Sequence, residues 1–151
     1  MRECGEQGLA PAHREAVRLK PDAPLLRINL AHAMIETHEA EQITLAVDQL
    51  TRATALEPDN TMGWRLLSQA YATQGKDGEA RLASAEMYFA MGAETQATQF
   101  ALRARDMLTP GSADWTRAMD IVFSSGATQD DVDAVDRRNS RNRPVVVPAS
   151  S

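Results

Sequence analysis

Aromatic residues are scarce: two Trp, two Tyr and three Phe make up 5% of the 151 residues. A sheet-based core of this size draws its volume from aromatic and β-branched side chains, so that scarcity, beside 25 alanines, favours closely packed helices over a β-sandwich. Cysteine is nearly absent as well. With Cys4 alone, an internal disulfide and a cysteine-based zinc site are impossible. No apolar run approaches the roughly 20 residues that cross a bilayer, and residues 1–7 lack the apolar stretch of a secretory leader, so the chain as written reads as cytoplasmic. Positive charge is in deficit, with 16 Lys and Arg against 21 Asp and Glu. A net charge of -5 is the wrong sign for a surface that neutralises phosphates, and nucleic acid is not an expected partner. Reaction chemistry is missing too: there is no glycine-rich phosphate loop and no nucleophile motif, and neither catalytic residues nor a cofactor are expected. Of the three histidines, His13, His32 and His38, the last two are six apart rather than four, so no helix face carries a pair of ligands.

What is present is helical punctuation. Pro21, Pro24, Pro58 and Pro110, with Gly75 and Gly92, separate runs of helix-like apolar spacing. The pattern predicts helices over 12–19, 24–37, 42–56, 61–74, 78–91, 95–108 and 113–124, and no strand. Asn60 or Thr61 caps the 61–74 helix and Gly75 ends it. Connections of two to five residues impose antiparallel hairpins. Residues 1–11 read as an irregular lead-in, 12–126 as one helical array and 127–151 as a disordered tail, in which Thr128 can cap a short helix near 129–138. In the 78–91 helix, Met87, Tyr88, Phe89 and Met91 read as core.

A repeat underlies the helices. Trp64, Leu67, Ser68, Tyr71, Gly75 and Ala80 stand at positions 4, 7, 8, 11, 15 and 20 of a unit beginning at Thr61. The rings are expected to fill the groove between paired helices, while Ser68 and Ala80 let the helices approach. One unit earlier, Leu30, Ala31 and Met34 match positions 7, 8 and 11, and Ala46, Leu50, Ala53 and Pro58 match 20, 24, 27 and 32, with three extra residues expected in the turn around residues 36–42. Downstream, Ala85, Tyr88, Gly92, Ala97 and Ala104 fit positions 8, 11, 15, 20 and 27, so the 78–91 helix serves as the second helix of one unit and the first of the next. Trp115, Ala118, Met119, Val122 and Gly126 then supply a terminal helix that caps the stack. Taken together these positions resemble the tetratricopeptide repeat (TPR), which implies an all-α solenoid of antiparallel helix pairs.

The stretch from about Leu19 to Ile121, including Leu56-Glu57-Pro58-Asp59-Asn60 and Trp64-Arg65-Leu66-Leu67, further resembles the carboxy-terminal TPR region of bacterial HExxH zinc metallopeptidases. In that family a periplasmic or membrane-associated protease domain precedes the array, which is associated with outer-membrane protein quality control. The protease motif itself is absent: His38-Glu39-Ala40-Glu41-Gln42 lacks the second histidine. Zinc would therefore belong only to a protease domain that this chain does not contain.

The resemblance implies that positions 2, 5, 9, 12 and 13 of each unit line a concave groove. On this numbering the expected partner-binding set is Ile28, His32 and Ile35 in the first unit, Met62, Arg65, Gln69 and Thr73 in the second, and Leu82 and Glu86 in the third. Such a groove suits a peptide or helix of a protein partner. The expected function is a non-catalytic interaction scaffold. The alternative is a substrate-positioning part of a zinc peptidase, periplasmic or membrane-associated, and a third reading is self-association through the groove.

Overall fold

The computed structural model describes Arg14, Glu15, Arg18 and residues 23–149. Seven helices follow in order: α1 (Pro24–Glu36), α2 (Ala40–Leu56), α3 (Thr61–Thr73), α4 (Asp77–Ala90), α5 (Glu94–Met107), α6 (Ala113–Ser124) and α7 (Gln129–Arg141). No strand occurs among the described residues, and the fold is all-α with repeat-like packing of adjacent helices. Arg14, Glu15 and Arg18 are helical; the rest of the expected 12–19 helix, the 1–11 lead-in, Cys4 and His13 lie outside the described residues.

Several helix ends have a local cause. Asn60 caps α3 by accepting from Gly63 N at 3.2 Å, and Ser112 caps α6 by accepting from Trp115 N at 3.2 Å. At their other ends α3, α4 and α6 run into Gly75, Gly92 and Gly126, all with φ between 72° and 91°. That left-handed step brings the next amide back onto the helix: Lys76 N donates to Tyr71 O, Ala93 N to Tyr88 O and Ala127 N to Val122 O. The corresponding residue after α1 is not glycine but His38, at φ 57°. Its neighbour Thr37 supplies a substitute for the missing turn bond, since Thr37 Oγ1 donates to Met34 O at 2.6 Å and accepts from Glu39 N at 3.2 Å.

The three extra residues of the first unit are not where the spacing predicted. Thr37, His38 and Glu39 form a connection as short as the one between α3 and α4, while α2 has 17 residues against 14 in α4. The insertion is an additional turn's worth of helix at the start of α2. A longer helix satisfies the added backbone amides internally, which a longer loop does not.

Two cores hold the stack. Leu30, Met34, Leu50 and Leu66 pack with Ala31, Ala46, Ala53 and Ala70 between α1, α2 and α3. Ile121, Val122 and Val132 pack with Ala97, Ala101 and Ala118 between α5, α6 and α7. Helix α4 contributes to both, with Ala83 in the first core and Leu82 and Ala85 in the second. The contacts between alternate helices shift with it: α1 packs on α3, and then α4 packs on α6. This is the doubled role the repeat positions predicted for the 78–91 helix. Between α3 and α4 the small residues let the backbones approach, and Ser68 Oγ donates to Ala80 O at 2.9 Å.

The first part of the expected tail is ordered helix. Thr128 and Asp131 close a reciprocal cap at the start of α7, Val132 is buried against the second core, and Arg105 of α5 binds Asp136 at 2.6 Å. Burial opposes the charge of Arg105, but hydrogen bonds to Asp136 and Asp106 outweigh it and raise the pKa of the guanidinium. Helix α6 is therefore not the last element: α7 follows it and is tied to the second core by Val132 and to α5 by Asp136. Residues 144–149 have no regular structure and are exposed.

Candidate protein-interaction site

The residues expected to line one groove fall into three environments. Ile28 and Ile35 are each 3% exposed and belong to the first core, so they present nothing to a partner. Helix α1 packs on both α2 and α3, and the side of it that carries these residues is consumed by that contact. His32 is exposed beside Glu36, at 3.5 Å. Met62, Arg65, Gln69 and Thr73 are all exposed and, spaced by three, four and four, form a single row along α3. Arg65 Nη2 rests 3.0 Å from Met62 Sδ.

Leu82 and Glu86 lie elsewhere. They line a cleft of about 270 Å³ whose opposite wall is Trp64, Leu67 and Tyr71 of α3. At 3.6 residues per turn, that row and the row of Met62, Arg65, Gln69 and Thr73 occupy opposite flanks of α3, on either side of buried Gly63, Leu66 and Ala70. The nine expected residues thus do not form one surface. The structure has an exposed row on one flank of α3 and an open cleft on the other.

The cleft exists because of the register change at α4. Helices α2, α3 and α4 make its first three sides, and α6, brought onto α4 rather than α5 being brought onto α3, makes the fourth with Asp114 and Arg117. Trp64 and Tyr71 are half-buried, not sealed between helices as the repeat positions predicted. The indole packs on the first core and Trp64 Nε1 donates to Pro58 O at 2.8 Å, leaving part of the ring on the cleft wall.

Charge is arranged around this wall. Arg117 spans from α6 to α4 and binds the nearly buried Glu86 carboxylate through two bonds, of 2.6 and 2.8 Å, with its guanidinium 5.8 Å from the Phe89 ring centre. The Glu86 hydrogen bonds raise the Arg117 pKa against the opposing effect of burial. Tyr71 is pushed above the ordinary phenol range, first by burial and then by the negative charges of Asp114 and Glu79, against a lowering hydrogen bond from Thr51. Phe89 and Met91 are 37% and 60% exposed and Met87 is half-buried outside both cores, so the expected core cluster on α4 divides: only Tyr88, stacked on Phe100 at 5.1 Å, packs on the second core.

Among the described residues no group of three or more His, Cys, Asp or Glu is placed to hold a metal ion. Glu39 is the N-cap of α2 and His38 the left-handed residue before it, so the His38-Glu39 string is a turn. No described helix is long and apolar enough to cross a membrane. Sequence reasoning missed Asp114 and Arg117 as cleft residues, the one signal pointing to them being the doubled register of α4, which places α6 beside it; Glu79 stands at position 2 of the third unit, one of the positions expected to face the groove.

The architecture defines an all-helical, repeat-like array with an open cleft where α4 changes register. No protein-family model matches the chain. It is similar to the beta-barrel assembly-enhancing protease of Yersinia pestis, with 35% identity over 96 residues that make up 64% of this chain. The matched segment is 19% of that protein, so the chain spans about a fifth of its relative's length.

Proposed function

We propose that this chain is a non-catalytic protein-interaction scaffold that binds a peptide or helix of a partner protein. The observation that carries the reading is the exposed row of Met62, Arg65, Gln69 and Thr73 on α3. A flexible thioether, a guanidinium and an amide along one rigid helix combine adaptable apolar contact with oriented hydrogen bonding. His32 of α1 is exposed as well, while Leu82 and Glu86 line the cleft. Similarity to a segment of a larger protease supports a binding role for such a segment. The test is selection of peptides from a random display library on the immobilised chain. Enriched peptides that compete with one another, and whose binding is lost on Arg65→Glu without a change in the unfolding midpoint, are the expected result. No enrichment above a blank surface refutes the scaffold.

The protease relative favours a second reading, in which the array positions substrate for a zinc peptidase domain encoded with it. An in-frame HExxH helix in the genomic sequence upstream supports this version; its absence there leaves the free-standing scaffold.

A further inference from the structure

The cleft has features that neither the exposed row nor the repeat pattern accounts for. Its volume of about 270 Å³ falls just under the range of pockets for drug-sized ligands, which fits one long side chain and not a helix. Its wall is apolar and aromatic, from Trp64, Leu67, Tyr71 and Leu82. Its charge is unbalanced. Arg117, the cleft's one basic residue, is already committed to Glu86, whereas Glu79 and Asp114 also border the cleft and have no cationic partner among the described residues. Glu79 is half-buried on the cleft wall and Asp114 stands exposed at its rim, and both negative charges help to raise the pKa of the Tyr71 hydroxyl between them and the apolar wall.

We propose that this cleft is a binding subsite for a long cationic side chain, arginine or lysine, carried by the partner polypeptide, with its aliphatic stem along Trp64 and Leu82 and its charged end between Glu79 and Asp114. The inference rests on the reading of the chain as a polypeptide-binding scaffold. Apolar stem against apolar wall and charge against charge give the same orientation, and the Trp64 ring adds attraction for a cation lying over it. A neutral side chain of the same shape fills the space and leaves both carboxylates unanswered. An acidic one is repelled.

The experiment uses the full chain carrying Trp115→Phe, so that emission reports Trp64 alone. Capped peptides Ac-Ala-Leu-Xaa-Leu-Ala-NH2 are titrated with Xaa as arginine, lysine or citrulline, the last having the shape of arginine without its charge. A saturable change in Trp64 emission with the arginine or lysine peptide is expected, with citrulline weaker by about tenfold or more. Glu79→Gln with Asp114→Asn, at unchanged helicity and unfolding midpoint, removes that preference. If the pair together destabilises the chain, either single substitution is expected to reduce the preference. Equal binding of citrulline, or no saturable response to any peptide, overturns the inference. Emission that varies with protein concentration before peptide is added, and no longer does so once residues 142–151 are deleted, assigns the cleft to a second copy's Arg143 segment and also overturns it. The display selection is independent: peptides that depend on Arg65 but contain no shared cationic residue leave the scaffold standing without this subsite.

Discussion

Exchanging His38 and Gly75 tests whether the two helix ends are equivalent. Both close a helix in the left-handed region, at φ 57° and 74°, at the same position of successive units. An L-residue there costs about 1–2 kcal/mol from contact between Cβ and the following carbonyl. Glycine avoids that contact but leaves a more flexible unfolded chain, which offsets about 0.4–1 kcal/mol. His38→Gly should therefore stabilise the protein by about 0.5–1 kcal/mol. Gly75→Ala should destabilise it by a similar amount, because an added Cβ at Gly75 has nothing within 4 Å and only the conformational cost remains. For a domain of this size each kcal/mol moves the melting temperature by about 2–4 °C. Urea unfolding followed by far-ultraviolet circular dichroism measures both, and the double exchange should come out close to the wild type, the sites lying in separate turns. A His38→Gly protein no more stable than the wild type would falsify the argument, for it would mean that the Thr37 bonds to Met34 and Glu39 already remove the strain.

Four further outcomes follow from the geometry. Arg117→Ala strands a nearly buried carboxylate, and because Arg117 itself is partly exposed the cost should be about 1.5–2.5 kcal/mol, below that of a fully buried pair; Glu86→Ala should cost less, and a double-mutant cycle giving no coupling would remove the α4–α6 tie. Gly63→Ala places a Cβ 3.0 Å from Thr54 Cγ2, in a buried residue pinned by its hydroxyl to Leu50 O, and should cost about 1–3 kcal/mol in the same unfolding assay. The Thr128 amide and hydroxyl hold the Asp131 pKa below its ordinary value, so the cap is intact above about pH 4 and is lost as the pH falls through that lower value; amide chemical shifts of α7 should move toward coil in acid, and Asp131→Asn should abolish the dependence. In a Tyr88→Phe background Tyr71 should ionise above about pH 10, so that its contribution to stability is complete below that pH and disappears as the pH rises through the folded value; Glu79→Gln or Asp114→Asn should lower the absorbance midpoint, and no change would place those charges away from the cleft.

What was legible beforehand was whatever depends on neighbours in the chain. Helix boundaries followed from Pro24, Asn60, Gly75 and Gly92 because caps and left-handed residues act within one turn. Ser68 and Ala80 were recognisable because close approach demands small side chains wherever it occurs. The doubled role of α4 was also visible, as a second set of repeat positions on one helix. Helix α7 was harder to see, since Val132 and Val135 are a thin apolar face and its hold depends on Arg105, a residue 31 positions away from Asp136. The three added residues went to α2 because hydrogen bonds within a helix, which spacing alone does not weigh, favoured lengthening it.

By itself the sequence determined an all-helical chain, the points where it turns and the small residues at which its helices meet, because these depend on backbone conformation and on the volume of single side chains. Tertiary structure alone decided that Ile28 and Ile35 are covered, that Trp64 and Tyr71 are left half-buried on a cleft wall, and that Glu79 and Asp114 border the same cleft with Arg117 already engaged. Exposure and charge balance belong to the sum of all neighbouring elements, and a repeat pattern specifies one helix pair at a time.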